Sequence, residues 1–158
     1  LVEDIPLERL YNVNCVVLKV PKDVSDPTAH IAITKEELLR AAEGVEIRPG
    51  DCIIVAVGWD RYWMDDEHFF PNSPYFTYDA MKWIIDQRPS ILATDTPAWE
   101  NLSDPGGFFP EFYAADILML APLYGLGQAS NGRGRITILP LKVAGCAAAP
   151  CRVVLTQE

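Results

Sequence analysis

Residues 33–59, ITKEELLRAAEGVEIRPGDCIIVAVGW, decide the fold class because two periodicities meet in them. Thr34 followed three residues later by Glu37 is a capping box, and Leu38, Leu39 and Ala42 then share a helical face until Gly44 stops the helix. Residues 48–51, RPGD, make a turn, and the run CIIVAVG at 52–58 is apolar without alternation. Such a run reads as a strand covered on both faces.

Upstream, VNCVVLKV at 13–20 is a β-branched run that ends at Pro21 and reads as a strand, followed by the loop PKDVSDPTAH. Downstream, residues 59–75, WDRYWMDDEHFFPNSPY, form a long aromatic and acidic loop, and loops of that length are usually functional or mobile. Thr77 caps a second helix with Met81, Ile84 and Ile85 at helical spacing, and Pro89 ends it. ILAT at 91–94 is a short strand that stops at Asp95, Thr96 and Pro97. The loop AWENLSDPGGFFPEFYA leads to ILMLAPL at 117–123, a second run read as buried on both faces. GLGQASNGRG reads as a hairpin turn, RITILPLKV as a strand interrupted at Pro140, and RVVLT as the closing strand. With no repeat or linker, the reading is a single α/β domain over residues 1–158, with more strands than its two clear helices.

Composition narrows the function classes. Apolar residues at 49% and charged residues at 22% exclude a disordered or coiled-coil chain. Thirteen Lys and Arg against 22 Asp and Glu give a net charge of −9, which argues against a nucleic-acid partner. No stretch reaches about 18 continuous apolar residues, so no membrane span is expected. The opening LVEDIPLERLYN is acidic and is no signal peptide. Cys15 and Cys52 lie inside apolar runs, as free buried thiols do, so a reducing, cytoplasmic compartment is expected. Leu1 is not a methionine, as expected of a fragment or a processed product.

The candidate chemistry is sparse. His68 follows Asp65, Asp66 and Glu67, so it is either an acid, base or ligand or one member of a solvated acidic loop. His30 reads as a loop residue. Cys146 and Cys151 are separated by four residues, which fits neither a redox pair nor a zinc knuckle. Asp95 ends an apolar strand, where open α/β sheets place binding groups, and an Asx turn is its alternative. Trp59, Tyr62 and Trp63 follow another strand end and either wall a pocket for a flat ligand or form a satellite core under the loop.

The order of these pieces resembles the cyclase family, which includes bacterial kynurenine formamidase and isatin hydrolase. ITKEELLRAAEGVEIRPGDCIIVAVGWDRYW is similar to that family's helix, Pro-Gly-Asp turn, apolar strand and Gly-Trp. YFTYDAMKWIIDQRPSILATDTPAW is similar to its helix and strand ending in Asp-Thr-Pro, and ITILPLKVAGCAAAPCRVVL to its Leu-Pro-Leu strand, small-residue turn and terminal Arg-Val strand. The resemblance runs from about Ile5 to Leu155. It implies a swivelling β/β/α fold with a mixed sheet and a few helices, a dimer or tetramer, and a divalent metal such as zinc or manganese. Two departures stand out. The family's His-x-Gly-Thr-His-x-Asp motif is nowhere in this chain, so the amino-terminal portion is expected to be missing or supplied by a complementary chain. By register, two further family ligands, a His and a Glu, fall on Phe109 and Ala121, which cannot ligate a metal.

Two functions follow as expectations. One is an arylformamidase-like hydrolase or cyclising enzyme on a small amide, lactone or polyketide-like substrate. It would use no metal on this chain alone, with Asp95 or His68 as base and Trp59, Tyr62, Trp63 and Phe109 as walls. The other is a non-catalytic subunit, or a cleaved carboxy-terminal piece, that completes a fold or interface with a partner.

Overall fold

The computed structural model describes residues 1–157. Its centre is a six-stranded sheet in the order β6-β5-β3-β1-β7-β8. Strands β1 (Val13–Lys19), β3 (Cys52–Ala56), β5 (Ile91–Thr94) and β6 (Leu118–Leu120) run parallel. Strands β7 (Gly132–Pro140) and β8 (Cys151–Thr156) complete the sheet as an antiparallel pair laid against β1. A second, two-stranded sheet pairs β2 (Ala32–Ile33) with β4 (Tyr75–Phe76). Three helices, α1 (Lys35–Ala41), α2 (Tyr78–Asp86) and α3 (Phe109–Ala114), join them. Among the described residues, no helix is long and apolar enough to cross a membrane.

The unbroken apolar runs of β1, β3 and β5 follow from the two faces they serve. Side chains alternate across a strand. Val16, Leu18, Ile53, Val55 and Leu92 enter one core with Leu38 of α1, Met81 and Ile84 of α2 and Phe112 of α3. Their neighbours Cys15, Val17, Cys52, Ile54, Ile91 and Ala93 enter a second core with Leu10, Leu123 and Leu126. Cys15 and Cys52 face each other across β1 and β3 as buried free thiols, and burial pushes the Cys15 thiol up to about 11.

Both predicted caps form. The Thr34 side chain accepts from the Glu37 amide while the Glu37 carboxylate accepts from the Thr34 amide, and Thr77 accepts from the Ala80 amide. Lys22 adds an ion pair to Glu37 at 2.6 Å. A second ion pair ties the antiparallel half to the parallel half: the Arg133 guanidinium on β7 donates to both oxygens of the buried Asp51, just before β3.

Four expectations need correcting. The run at 117–123 is not covered on both faces: β6 is a three-residue edge strand with Met119 42% exposed, and periodicity alone does not separate edge from centre. The second long loop contains α3, whose first turn carries Pro110, a position where proline costs no hydrogen bond. GLGQASNGRG is not a hairpin turn, since β6 and β7 are not neighbours. It crosses from one edge to the far side of β1 through a 3-10 turn at Leu126–Gln128, and its last three residues already belong to β7. The apolar run at 52–58 ends as strand at Ala56, because Gly58 takes a left-handed φ of 87° and turns the chain.

Candidate functional site

The carboxyl ends of β1, β3 and β5 lie side by side, and the sequence places Lys19, the Gly58 turn and Asp95 there. Asp95 is 1% exposed, and its carboxylate accepts from the Val57 amide at 3.1 Å and the Gly58 amide at 2.7 Å. It therefore latches the end of β3 rather than forming a turn within its own loop. Burial pushes its carboxyl up to about 6, against the lowering effect of the two amides, and the charge of Asp60 adds to the rise. Thr94 and Thr96 beside it are buried, and the Thr94 hydroxyl accepts from the Trp99 indole at 2.8 Å.

Beyond Gly58 the chain forms a 3-10 turn at Trp59–Tyr62. Trp59 is fully buried, its indole N–H donating to the Phe69 carbonyl at 3.0 Å and its ring 4.7 Å from that of Tyr62. The Tyr62 hydroxyl donates to the Val24 carbonyl. Trp63 is different: it is 39% exposed and packs at 5.6 Å against both Phe69 and Tyr124. Asp60 reaches the same region, accepting from the Gly125 amide at 2.7 Å. Tyr124 was invisible as a partner from the sequence, because it follows the edge strand β6 and meets Trp63 only through the fold.

His68 lies later in the aromatic segment. Its Nδ1 is 2.9 Å from the Asp65 carboxylate, which also accepts from the His68 amide, and these bonds hold the Asp65 carboxyl below its ordinary value. The ring is partly exposed, and Nε2 takes no part in this pair. His30 is exposed on its loop. Phe109 belongs to another aromatic group. It opens α3, stacks on Tyr113 at 5.6 Å and packs beside Phe108 and Phe112. Among the described residues, no ring contact joins this group to Trp63. The structure thus brings together Asp95, Trp59, Tyr62 and Trp63 through the Gly58 turn, while Phe109 packs against the same core as Trp59 and Tyr62 within the aromatic group of α3.

The divalent metal that the family resemblance implies would need three or four converging donors. Among the described residues no group of three or more His, Cys, Asp or Glu side chains converges on one point. Phe109 and Ala121 lie against the helical core as apolar groups. Asp95 is engaged with backbone amides and His68 with one carboxylate. A cleft of about 500 Å³ opens next to Tyr124, between the 123–130 segment and β8, lined by Leu123, Leu126, Ser130, Val153, Leu155 and Gln157.

A mixed sheet with helices packed on one face and an aromatic segment braced over its carboxyl edge is the swivelling β/β/α architecture of the cyclase fold. Residues 1–101 match the family model named Cyclase, and the chain belongs to that family. Solved structures share the fold. One is described as a "Potential Metal-Dependent Hydrolase With Cyclase Activity", at a TM-score of 0.74 and 23% identity over 97% of this chain and 68% of that one. Isatin hydrolase A from Ralstonia solanacearum aligns at a TM-score of 0.77 and 19% identity, over 96% of this chain and 62% of that one. Isatin hydrolase A from Labrenzia aggregata, bound to benzyl benzoate, aligns at 0.72 and 18% identity, over 99% of this chain and 65% of that one. The chain spans about two thirds of the length of these structures. No curated protein matches the sequence.

Proposed function

We propose that this chain is a hydrolase-like member of the cyclase family that acts on a small aromatic amide or lactone without a metal held by its own residues. The observation that carries this reading is the His68–Asp65 pair at 2.9 Å, in the same segment that presents the exposed ring of Trp63. A carboxylate on Nδ1 orients an imidazole and leaves Nε2 to take a proton from water, as a general base does. Trp63 and Tyr124, set edge to face at 61°, supply an angled aromatic wall. Asp95 supports the wall from below through Gly58, because both amides it binds belong to the turn that launches the aromatic segment.

The test is hydrolysis of isatin and of an aryl formamide by the purified protein in the presence of a chelator. The expected result is slow turnover that the chelator leaves unchanged and that His68→Gln abolishes. Turnover that needs added metal and survives His68→Gln would overturn the reading. The non-catalytic alternative, a subunit completing a partner's fold or interface, draws on the apolar side chains of Phe109 and Ala121. It predicts saturable ligand binding, read as tryptophan quenching, with no turnover.

A further inference from the structure

Lys19 closes β1 at the sheet's carboxyl edge, and its ammonium is held in an unusual way. Nζ donates to three backbone carbonyls of one turn: Leu126 at 3.1 Å, Gly127 at 3.3 Å and Ala129 at 3.1 Å. An ammonium has three donors, and all three are used. No carboxylate pairs with it among the described residues, although Lys22, Lys82 and Arg133 in the same acidic chain each hold one. The stem rises from a strand whose four preceding residues are all buried, so the charge is presented from a fixed base.

The same turn is pinned at both ends. Asp60 accepts from Gly125 at its start, and Gln157 exchanges two hydrogen bonds with the backbone of Ser130 at its end. Asn131 accepts from the Lys19 amide and donates to the Ala41 carbonyl. These contacts fix the borders of the turn; inside it the Ala129 amide donates to the Leu126 carbonyl at 3.1 Å, and Lys19 alone draws the Leu126, Gly127 and Ala129 carbonyls to one point. Tyr124 stands two residues before Leu126 and packs on Trp63.

We propose that residues 126–129 form a carbonyl nest for an ammonium-class cation, that the chain fills it with its own Lys19, and that Lys19 is thereby the positioning residue of the Tyr124–Trp63 wall. Removing the charge leaves the Gly127 and Ala129 carbonyls without a donor, while the Leu126 carbonyl keeps only the Ala129 amide at 3.1 Å, and repulsion among the three opens the turn. A small cation with N–H donors restores the missing partner. The functional weight of the wall rests on the proposed ligand site, but the nest is tested without ligand or turnover.

The experiment is amide hydrogen exchange of Gly125, Ala129 and Ser130 in wild type, Lys19→Met and Lys19→Ala. Lys19→Met keeps the stem and loses the charge. Exchange in the turn should be faster by about tenfold or more, the factor that losing one charge-assisted hydrogen bond implies, while α2 amides keep their protection. In Lys19→Ala, methylammonium should restore protection saturably, and tetramethylammonium at equal ionic strength should not, because it has no N–H. If Lys19→Ala folds poorly, its refolding yield in the two salts asks the same question. Unchanged exchange in Lys19→Met, or equal effects of the two salts, would overturn the proposal, since lost stem packing is not repaired by a donor ion.

Discussion

Arg133 on β7 grips Asp51, at the entrance to β3, through both terminal nitrogens, at 2.8 and 3.1 Å. Asp51 is 2% exposed and also accepts from the Arg48 amide, so Arg133 supplies its only ionic partner among the described residues. Arg133→Met therefore leaves a buried carboxylate without a cation. The expected loss is about 2–4 kcal/mol, toward the lower end because the guanidinium is partly exposed. Asp51→Asn in the same background should return part of it. Urea denaturation of the two single variants and the double variant measures the coupling.

Gly134→Ala should destabilise by about 1–3 kcal/mol. A Cβ there would stand 2.6 Å from the Thr156 carbonyl oxygen, a backbone atom that cannot swing away. The check is a lower denaturation midpoint at an unchanged slope.

Trp59→Ala and Trp63→Ala should separate core from wall. Trp59 is fully buried with a bonded indole, so its truncation should cost about 3–5 kcal/mol. Trp63, at 39% exposure, should cost clearly less and should instead abolish tryptophan quenching by isatin. Paired denaturation and fluorescence titrations decide this.

Much of the parallel half was legible because its signals are local. The Thr34–Glu37 box, the Thr77 cap and the apolar runs at 13–20, 52–58 and 91–94 each sit within a few residues. The edge position of β6 was not legible, because a run such as ILMLAPL carries no mark of how many neighbours its strand will have. The site was legible only in outline. Asp95 stands out at a strand end, but its amide partners are 38 and 37 residues away. Lys19 and Tyr124 carried no sequence signal, since carbonyl ligands and ring contacts across the fold leave no pattern in residue type.

Asp95 should also shape the pH dependence of stability. Its carboxyl lies near 6 in the folded state against about 3.9 when unfolded, so between those values the native state holds the proton more tightly. Its contribution is fully present below about pH 4 and is lost as pH rises through 6, a swing of about 2–3 kcal/mol. Asp95→Asn removes it. The stability of Asp95→Asn relative to wild type should therefore rise between about pH 4 and pH 7, and a flat difference would contradict the assignment.

Whether this chain's own residues hold a metal bears on every step proposed for His68, Asp65 and Trp63. Elemental analysis of the purified protein tests it most directly. Zinc and manganese are expected well below one ion per chain, unchanged by His68→Gln. One tightly held ion per chain, lost in His68→Gln, would contradict the proposed metal-free chemistry.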